Sequence, residues 1–199
     1  MGYNRSDMST LAHEKAQPRR FPITVEVYHF MAERGAFAPD ERVELLDGEI
    51  REMSPIGSLH ARCVNLLTEF LHRTFAGRYI VSAQNPIILD DLSEPQPDIA
   101  LLERREDFYK SELPSARDVA LVFEVADSSV TFDRYRKLPK YAEAGIAEAW
   151  LVDLESEHIE VHFQPKEDTY GTVKIYRRGE AAVSETIPEF NISVDDLLG

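Results

Sequence analysis

Apolar residues recur along the chain with two different periods. After Ser58 the positions Val64, Leu67, Phe70, Leu71 and Phe75 fall at helical spacing, which predicts one long amphipathic helix that Gly77 closes. Shorter apolar runs at 79–83, 87–89, 98–102 and 119–125 read as strands. Ahead of them, Thr24 is placed to cap a short helix reaching Glu33, with Val27, Phe30 and Met31 on its apolar side. Residues 42–46 and 49–53 flank Asp47-Gly48, a dipeptide that strongly signals a two-residue hairpin turn. The charged segment 103–117 reads as a loop with a short helical turn. A helix over 131–144 ends at Gly145, a strand follows at 149–154, and a terminal meander is expected near 158–163, 173–176 and Glu185. Residues 1–20 are polar, aperiodic and contain Pro18, so they read as a mobile tail before a single domain over 21–199. The order of elements predicts an α/β fold. Its mixed central sheet would be buried on both faces and flanked by helices, with an added N-terminal hairpin and C-terminal β-meander.

The chain has 199 residues, 43% of them hydrophobic, enough for one substantial core and too few for two large ones. A single site is therefore expected. No apolar stretch approaches the roughly 20 residues that span a bilayer, and the polar N-terminus is no secretory signal, so a soluble cytoplasmic protein is expected. Cys63 is the only cysteine, which excludes an internal disulfide and a cysteine-built zinc site.

Two strand-like runs carry a carboxylate each. Asp98 stands behind a proline at the start of one, and Glu124 lies near the end of the other. A buried carboxylate is costly unless paired, hydrogen-bonded or bound to a cation, so two on successive strands point to a shared ligand, and a hard divalent metal is the natural one. Thirteen residues after Glu124, on the helix that follows its strand, comes Lys137. Two acids and a lysine on such a unit are the equipment of metal-assisted phosphodiester hydrolysis.

The net charge of -14 opposes a nucleic-acid reading, because phosphate binding normally relies on Lys and Arg. Its distribution softens that objection. Residues 40–52 hold six acids against Arg42 and Arg51, whereas residues 131–140 hold Arg134, Arg136, Lys137 and Lys140 against Asp133 alone. The basic run reads either as an edge that meets substrate, Arg134 included, or as a solvated helix face. His158 and His162 have the spacing of a helical metal pair, but their segment alternates as a strand, which separates them by about 13 Å at ~3.3 Å per residue. They do not read as one metal site. Ser128 and Ser129 lack a base nearby in sequence and read as the entry to the next helix.

The run 46–60, with Gln84-Asn-Pro-Ile87, Pro95-Gln-Pro-Asp98 and the runs 123–129, 133–141 and 142–153, resembles the Uma-type restriction-endonuclease family, in that family's order from residue 24 onward. The resemblance implies a relationship to the PD-(D/E)XK nuclease superfamily, its restriction-endonuclease-like fold, and cleavage of DNA with Mg²⁺, or Mn²⁺ in its place. Asp98 matches the aspartate of the Pro-Asp element and Glu124 the acid of the second element. Two residues beyond that acid, where the superfamily carries lysine, this chain has Ala126; in the Uma-type variant the lysine of the following helix, Lys137 here, takes the role. A long side chain can deliver its ammonium to one point from a neighbouring backbone position.

The same resemblance nominates Glu44 as a further metal ligand and His60 as a catalytic contact to phosphate or water, with Gln84 and Tyr141 on the substrate side. Read without it, Glu44 is equally an ordinary acid on a half-exposed strand, and His60 a first-turn helix residue bonded to backbone. A homodimer is expected, because cutting both strands of a duplex is simplest for a two-fold pair. Two other functions suit the residues. One is a nuclease-fold interaction module that binds without cutting, and the other is a metal-dependent phosphodiesterase on small nucleotides.

Overall fold

The computed structural model describes residues 21–199, so the expected tail at 1–20 lies outside the described residues. Six strands form the main sheet, in the order β3 (Tyr79–Ala83), β4 (Ile99–Glu103), β5 (Val119–Ala126), β6 (Glu148–Asp153), β7 (His158–Lys166) and β8 (Thr169–Arg177). Every neighbouring pair is antiparallel except β5 and β6, which run parallel. A parallel pair needs a crossover connection, here made by three helical pieces in succession: α3 (Val130–Phe132), a π-helical turn (Asp133–Lys137) and α4 (Leu138–Glu143).

Side chains alternate across the sheet and sort into two cores. From β5, Leu121, Phe123 and Val125 pack with Trp150, Phe190 and the inner side of α2 (Ser58–Phe75); Cys63 of α2 lies here, fully buried, and burial pushes its thiol up to about 12. Val122 and Ala126 face the other way, onto Leu138, Tyr141 and Ala142 of α4. Glu124 has their parity, which aims it under the crossover helix. Asp98 shares the parity of Ala100 and Leu102 on β4, and the pairing of Ile99 with Phe123 sets Asp98 beside Glu124, one step further along.

The hairpin forms as its turn residues dictate. β1 (Val43–Leu46) and β2 (Glu49–Glu52) are joined by Asp47 at φ 53° and Gly48 at φ 72°, the left-handed pair of a type I′ turn. At Gly48 a Cβ would lie 2.6 Å from the Pro22 side chain, so glycine is required there by space as well as by φ.

Three expectations need correction. The first helix, α1 (Val25–Glu33), is capped by Thr24 as expected, but it buries Tyr28 while Val27 and Phe30 stay exposed. The Tyr28 hydroxyl donates to the Val43 carbonyl, so a hydrogen-bonded ring, not the most apolar stripe, decides which side faces the hairpin. Residues 87–89 form no strand: Ile87 and Leu89 donate to Pro95 and Ser93 on one side and Ile88 to Pro114 on the other, and only isolated bridges result, Ile88 with Ser115 and Asp90 with Ser93. The strand expected at Glu185 is instead β9 (Ala181–Val183), paired with β10 (Asn191–Ser193) in a separate two-stranded sheet before α5 (Val194–Leu198). Among the described residues no helix is long and apolar enough to cross a membrane.

Candidate active site

Asp98, Glu124, Lys137 and Glu44, remote in sequence, converge at one end of the main sheet. Each is buried, and all four line one cavity of about 470 Å³. The cavity opens between the β1–β2 hairpin, the irregular segment 53–57, the start of α2 and the 127–129 loop.

The Lys137 ammonium lies 3.0 Å from Glu124 and 3.2 Å from Glu44, and donates to the Gln96 carbonyl at 3.4 Å. Burial alone would lower its pKa, but the Glu124 and Glu44 carboxylates outweigh that and raise it, so Lys137 is held as a cation. Glu124 accepts the Tyr141 hydroxyl at 2.5 Å. Burial pushes the Glu124 carboxyl well above the usual carboxylate range, with Asp133 and Asp98 adding to the rise and Lys137 opposing it. Glu148, on the next strand, gives the contrast. It is also buried, yet it is satisfied by the Trp150 indole, two backbone N–H groups and the Thr186 hydroxyl, as a structural acid should be.

Asp98 is held from three sides. The His60 Nε2 lies 3.0 Å from Oδ1 and 3.1 Å from Oδ2, the Val125 N–H donates to Oδ2 at 2.9 Å, and the Gln84 amide donates to Oδ1 at 3.3 Å. Burial raises the Asp98 pKa, but the hydrogen bond and charge of His60 prevail, so the carboxyl sits below its ordinary value. Reciprocally, the bond to Asp98 raises the His60 pKa against its own burial. The Nδ1 of His60 is buried and has no hydrogen-bond partner among the described residues.

Asp133, which the sequence pattern does not single out, belongs here. It is buried, lines the cavity, and accepts the Ser129 hydroxyl at 2.6 Å; burial raises its pKa while Lys137 opposes the rise. Its signal was its distance from Lys137: four residues along a helix put two side chains on one face. Here the intervening turn is π-helical, a widened geometry common at functional sites. Pro139 follows one residue later, after Leu138. It has no N–H to give to the Tyr135 carbonyl, and its ring would crowd that carbonyl in a regular α-turn, which the wider turn relieves.

His60 lines the cavity, but Gln84, Tyr141 and Arg134, expected on the substrate side, do not. Tyr141 is fully buried beneath Glu124, and Gln84, at a left-handed φ of 53°, supports Asp98 with its amide. Arg134 points elsewhere: its guanidinium is committed to Glu160 at 2.7 Å and Asp153 at 3.2 Å, because the residue after Asp133 leaves the helix on a different side, toward β6 and β7. His158 and His162 both bond that same Glu160. The arginines that do line the cavity are Arg42 and Arg51, from the hairpin.

Among the described residues no three His, Cys, Asp or Glu side chains form a metal cage by themselves. The arrangement instead offers oxygen donors from two neighbouring acids, Asp98 and Glu124, beside an open cavity. That fits a hard divalent cation, which commonly takes one or two carboxylates and completes its shell with water and phosphate oxygens.

A family model, Uma2, described as "Putative restriction endonuclease", matches residues 25–195. The chain is also similar to a solved structure, a "putative nuclease belonging to DUF820 from Anabaena variabilis ATCC 29413", with 14% identity, a TM-score of 0.68, and coverage of 89% of this chain and 98% of that one. At that identity the likeness shows the fold, the mixed-sheet restriction-endonuclease-like arrangement. No curated protein matches the chain.

Proposed function

The chain belongs to the Uma2 family, and from that premise we propose that it is a divalent-metal-dependent nuclease hydrolysing phosphodiester bonds of DNA. The observation that carries the reading is a charge deficit. Glu44, Asp98, Glu124 and Asp133, all buried, line one cavity in which, among the described residues, Lys137 is the one buried cation, His60, Arg42 and Arg51 of the same lining being only partly buried. A protein that kept this centre only for its fold would do better with well-packed apolar side chains. A cation bound from the cavity relieves the deficit.

Asp98 and Glu124, with Glu44 behind them, are the residues that would hold the metal. When bound, Mg²⁺ or Mn²⁺ supplies Lewis-acid charge to the phosphate and makes water acidic enough to attack near neutral pH. Asp98 is kept ionised and aimed by His60 and the Val125 N–H. Tyr141 fixes the orientation of Glu124. Lys137 presents a permanent ammonium where negative charge develops on phosphate, and donors already in place at that point cost no reorganisation during the reaction. His60, on the other side of Asp98, can contact phosphate or hold the attacking water.

Plasmid nicking at low salt with Mg²⁺ or Mn²⁺ tests the reading, comparing wild type with Asp98→Ala, Glu124→Ala and Lys137→Ala. Metal-dependent cleavage lost in all three is the expected result. Normal cutting by Lys137→Ala would remove the lysine from the mechanism. Absence of both cleavage and calorimetric metal binding in wild type would replace the nuclease with a non-cutting interaction module.

A further inference from the structure

The entry to the site constrains what can be cut. Asp98, Glu44, Glu124 and Lys137 are 9%, 4%, 3% and 3% exposed, so a phosphate reaches them only by entering the cavity. At about 470 Å³ that cavity lies in the range, ~300–1,000 Å³, that encloses one small ligand. A base-paired duplex presents its backbone on a stiff, wide cylinder and cannot lower one phosphate and its sugar into such a space. A strand without a partner can.

The wall chemistry agrees. Glu44 and Arg51 are cross-strand partners in the hairpin, and Arg42, just ahead of β1 and two residues before Glu44, still accepts the Met53 N–H, so all three project from one face. That face sends Glu44 to the floor and sets the two arginines beside it in the cavity wall. The Arg51 guanidinium rests 5.1 Å from the Phe132 ring, its Nη2 bonds Glu49 at 2.6 Å, and its buried Nε has no partner among the described residues. Beside this basic lip the wall turns apolar, with Met53, Phe132 and Ile56, the last 43% exposed on an irregular segment. Basic groups for the backbone beside apolar and aromatic faces for unstacked bases are what single-strand sites combine. Duplex binding instead relies on a broad basic footprint, commonly about 6–10 phosphate contacts, and a chain of net charge -14 with two arginines at its site does not provide one.

We propose that the substrate is unpaired DNA, a single strand or single-stranded end, whose backbone phosphate is gripped by Arg42 and Arg51 while its base lies against Phe132, Met53 and Ile56. This rests on the nuclease reading above.

The test uses the full chain and fluorescein-labelled oligonucleotides: a single strand, the matched blunt duplex, and a duplex with a single-stranded overhang. Cleavage is followed with Mg²⁺ or Mn²⁺, and binding by anisotropy with Ca²⁺ in their place. The single strand and the overhang should be cut within the unpaired part at least tenfold faster than the blunt duplex. Arg42→Gln and Arg51→Gln should each weaken single-strand binding about tenfold while a cooperative thermal transition shows that each variant stays folded. Equal cutting of the blunt duplex would overturn the proposal and leave the nuclease reading intact. Competition by a free mononucleotide as strong as that of the oligonucleotide would also overturn it, in favour of a phosphodiesterase on small nucleotides. No cutting and no binding of any probe would remove both readings together.

Discussion

The Tyr141 hydroxyl donates a 2.5 Å hydrogen bond to Glu124, linking the crossover helix to the strand beneath it at a fully buried point. Tyr141→Phe keeps the ring and deletes only that donor. The variant should lose about 1.5–3 kcal/mol, the usual worth of a hydrogen bond to a charged group, and should bind Mn²⁺ more weakly because Glu124 is no longer oriented. Urea unfolding and a calorimetric Mn²⁺ titration measure the two effects; wild-type metal affinity in the variant would show that Glu124 needs no such support.

Lys137 is the counter-ion of Glu124 and Glu44. Lys137→Met preserves much of the apolar stem and leaves those carboxylates buried without their cation, a change that typically costs about 3–5 kcal/mol. The loss should be large at pH 7.5 and shrink at pH 5, where the Glu124 carboxyl, already raised by burial, can take up a proton. Urea midpoints at the two pH values check this, and a pH-independent deficit would point to lost packing instead.

The Asp98–His60 pair gives stability a window in pH. The Asp98 pKa is lowered on folding, so its contribution is present above the unfolded value, about 3.9, and fades as pH falls below it through the folded one. The His60 pKa is raised, so its contribution is full below about 6.5 and fades as pH climbs through the folded value. The stability difference between wild type and His60→Gln should therefore be greatest between roughly pH 4 and 6.5 and decline on both sides. Denaturant titrations across pH 3–9 follow the difference, and a flat profile would dissolve the pair.

Arg134 neutralises Glu160 and Asp153 on the far side of its helix. Arg134→Ala should cost stability on the order of 2 kcal/mol and leave metal-dependent cleavage at the wild-type rate. Slow cleavage by a variant of unchanged stability would return Arg134 to the substrate side.

Much of this was readable from the chain because local chemistry and global packing agree. Asp47-Gly48 could make little but a tight turn, and the buried runs of β5 and β6 could only be central strands. The acids of the centre were legible as misfits, charged residues in strand sequence. The residues that were missed or misjudged are those whose meaning depends on phase. Asp133 looked like one acid in a basic run until the π-helical turn set it beside Lys137. Arg134 looked available until its rotation toward Glu160 was fixed. Tyr28 outranked more apolar neighbours through one hydrogen bond that no periodicity records.

The segment that carries Asp133 and Lys137 is also the crossover that joins the parallel strands β5 and β6. Antiparallel neighbours such as β7 and β8 can pair through a short turn, whereas the parallel pair must first close a long connection, the slower kind of event in folding. The acids of β4 and β5 and their lysine are thus brought together only when that connection docks. A chain paused before this step has strands but no complete charged centre, which makes recovery of metal binding during refolding a clock for the completion of the sheet.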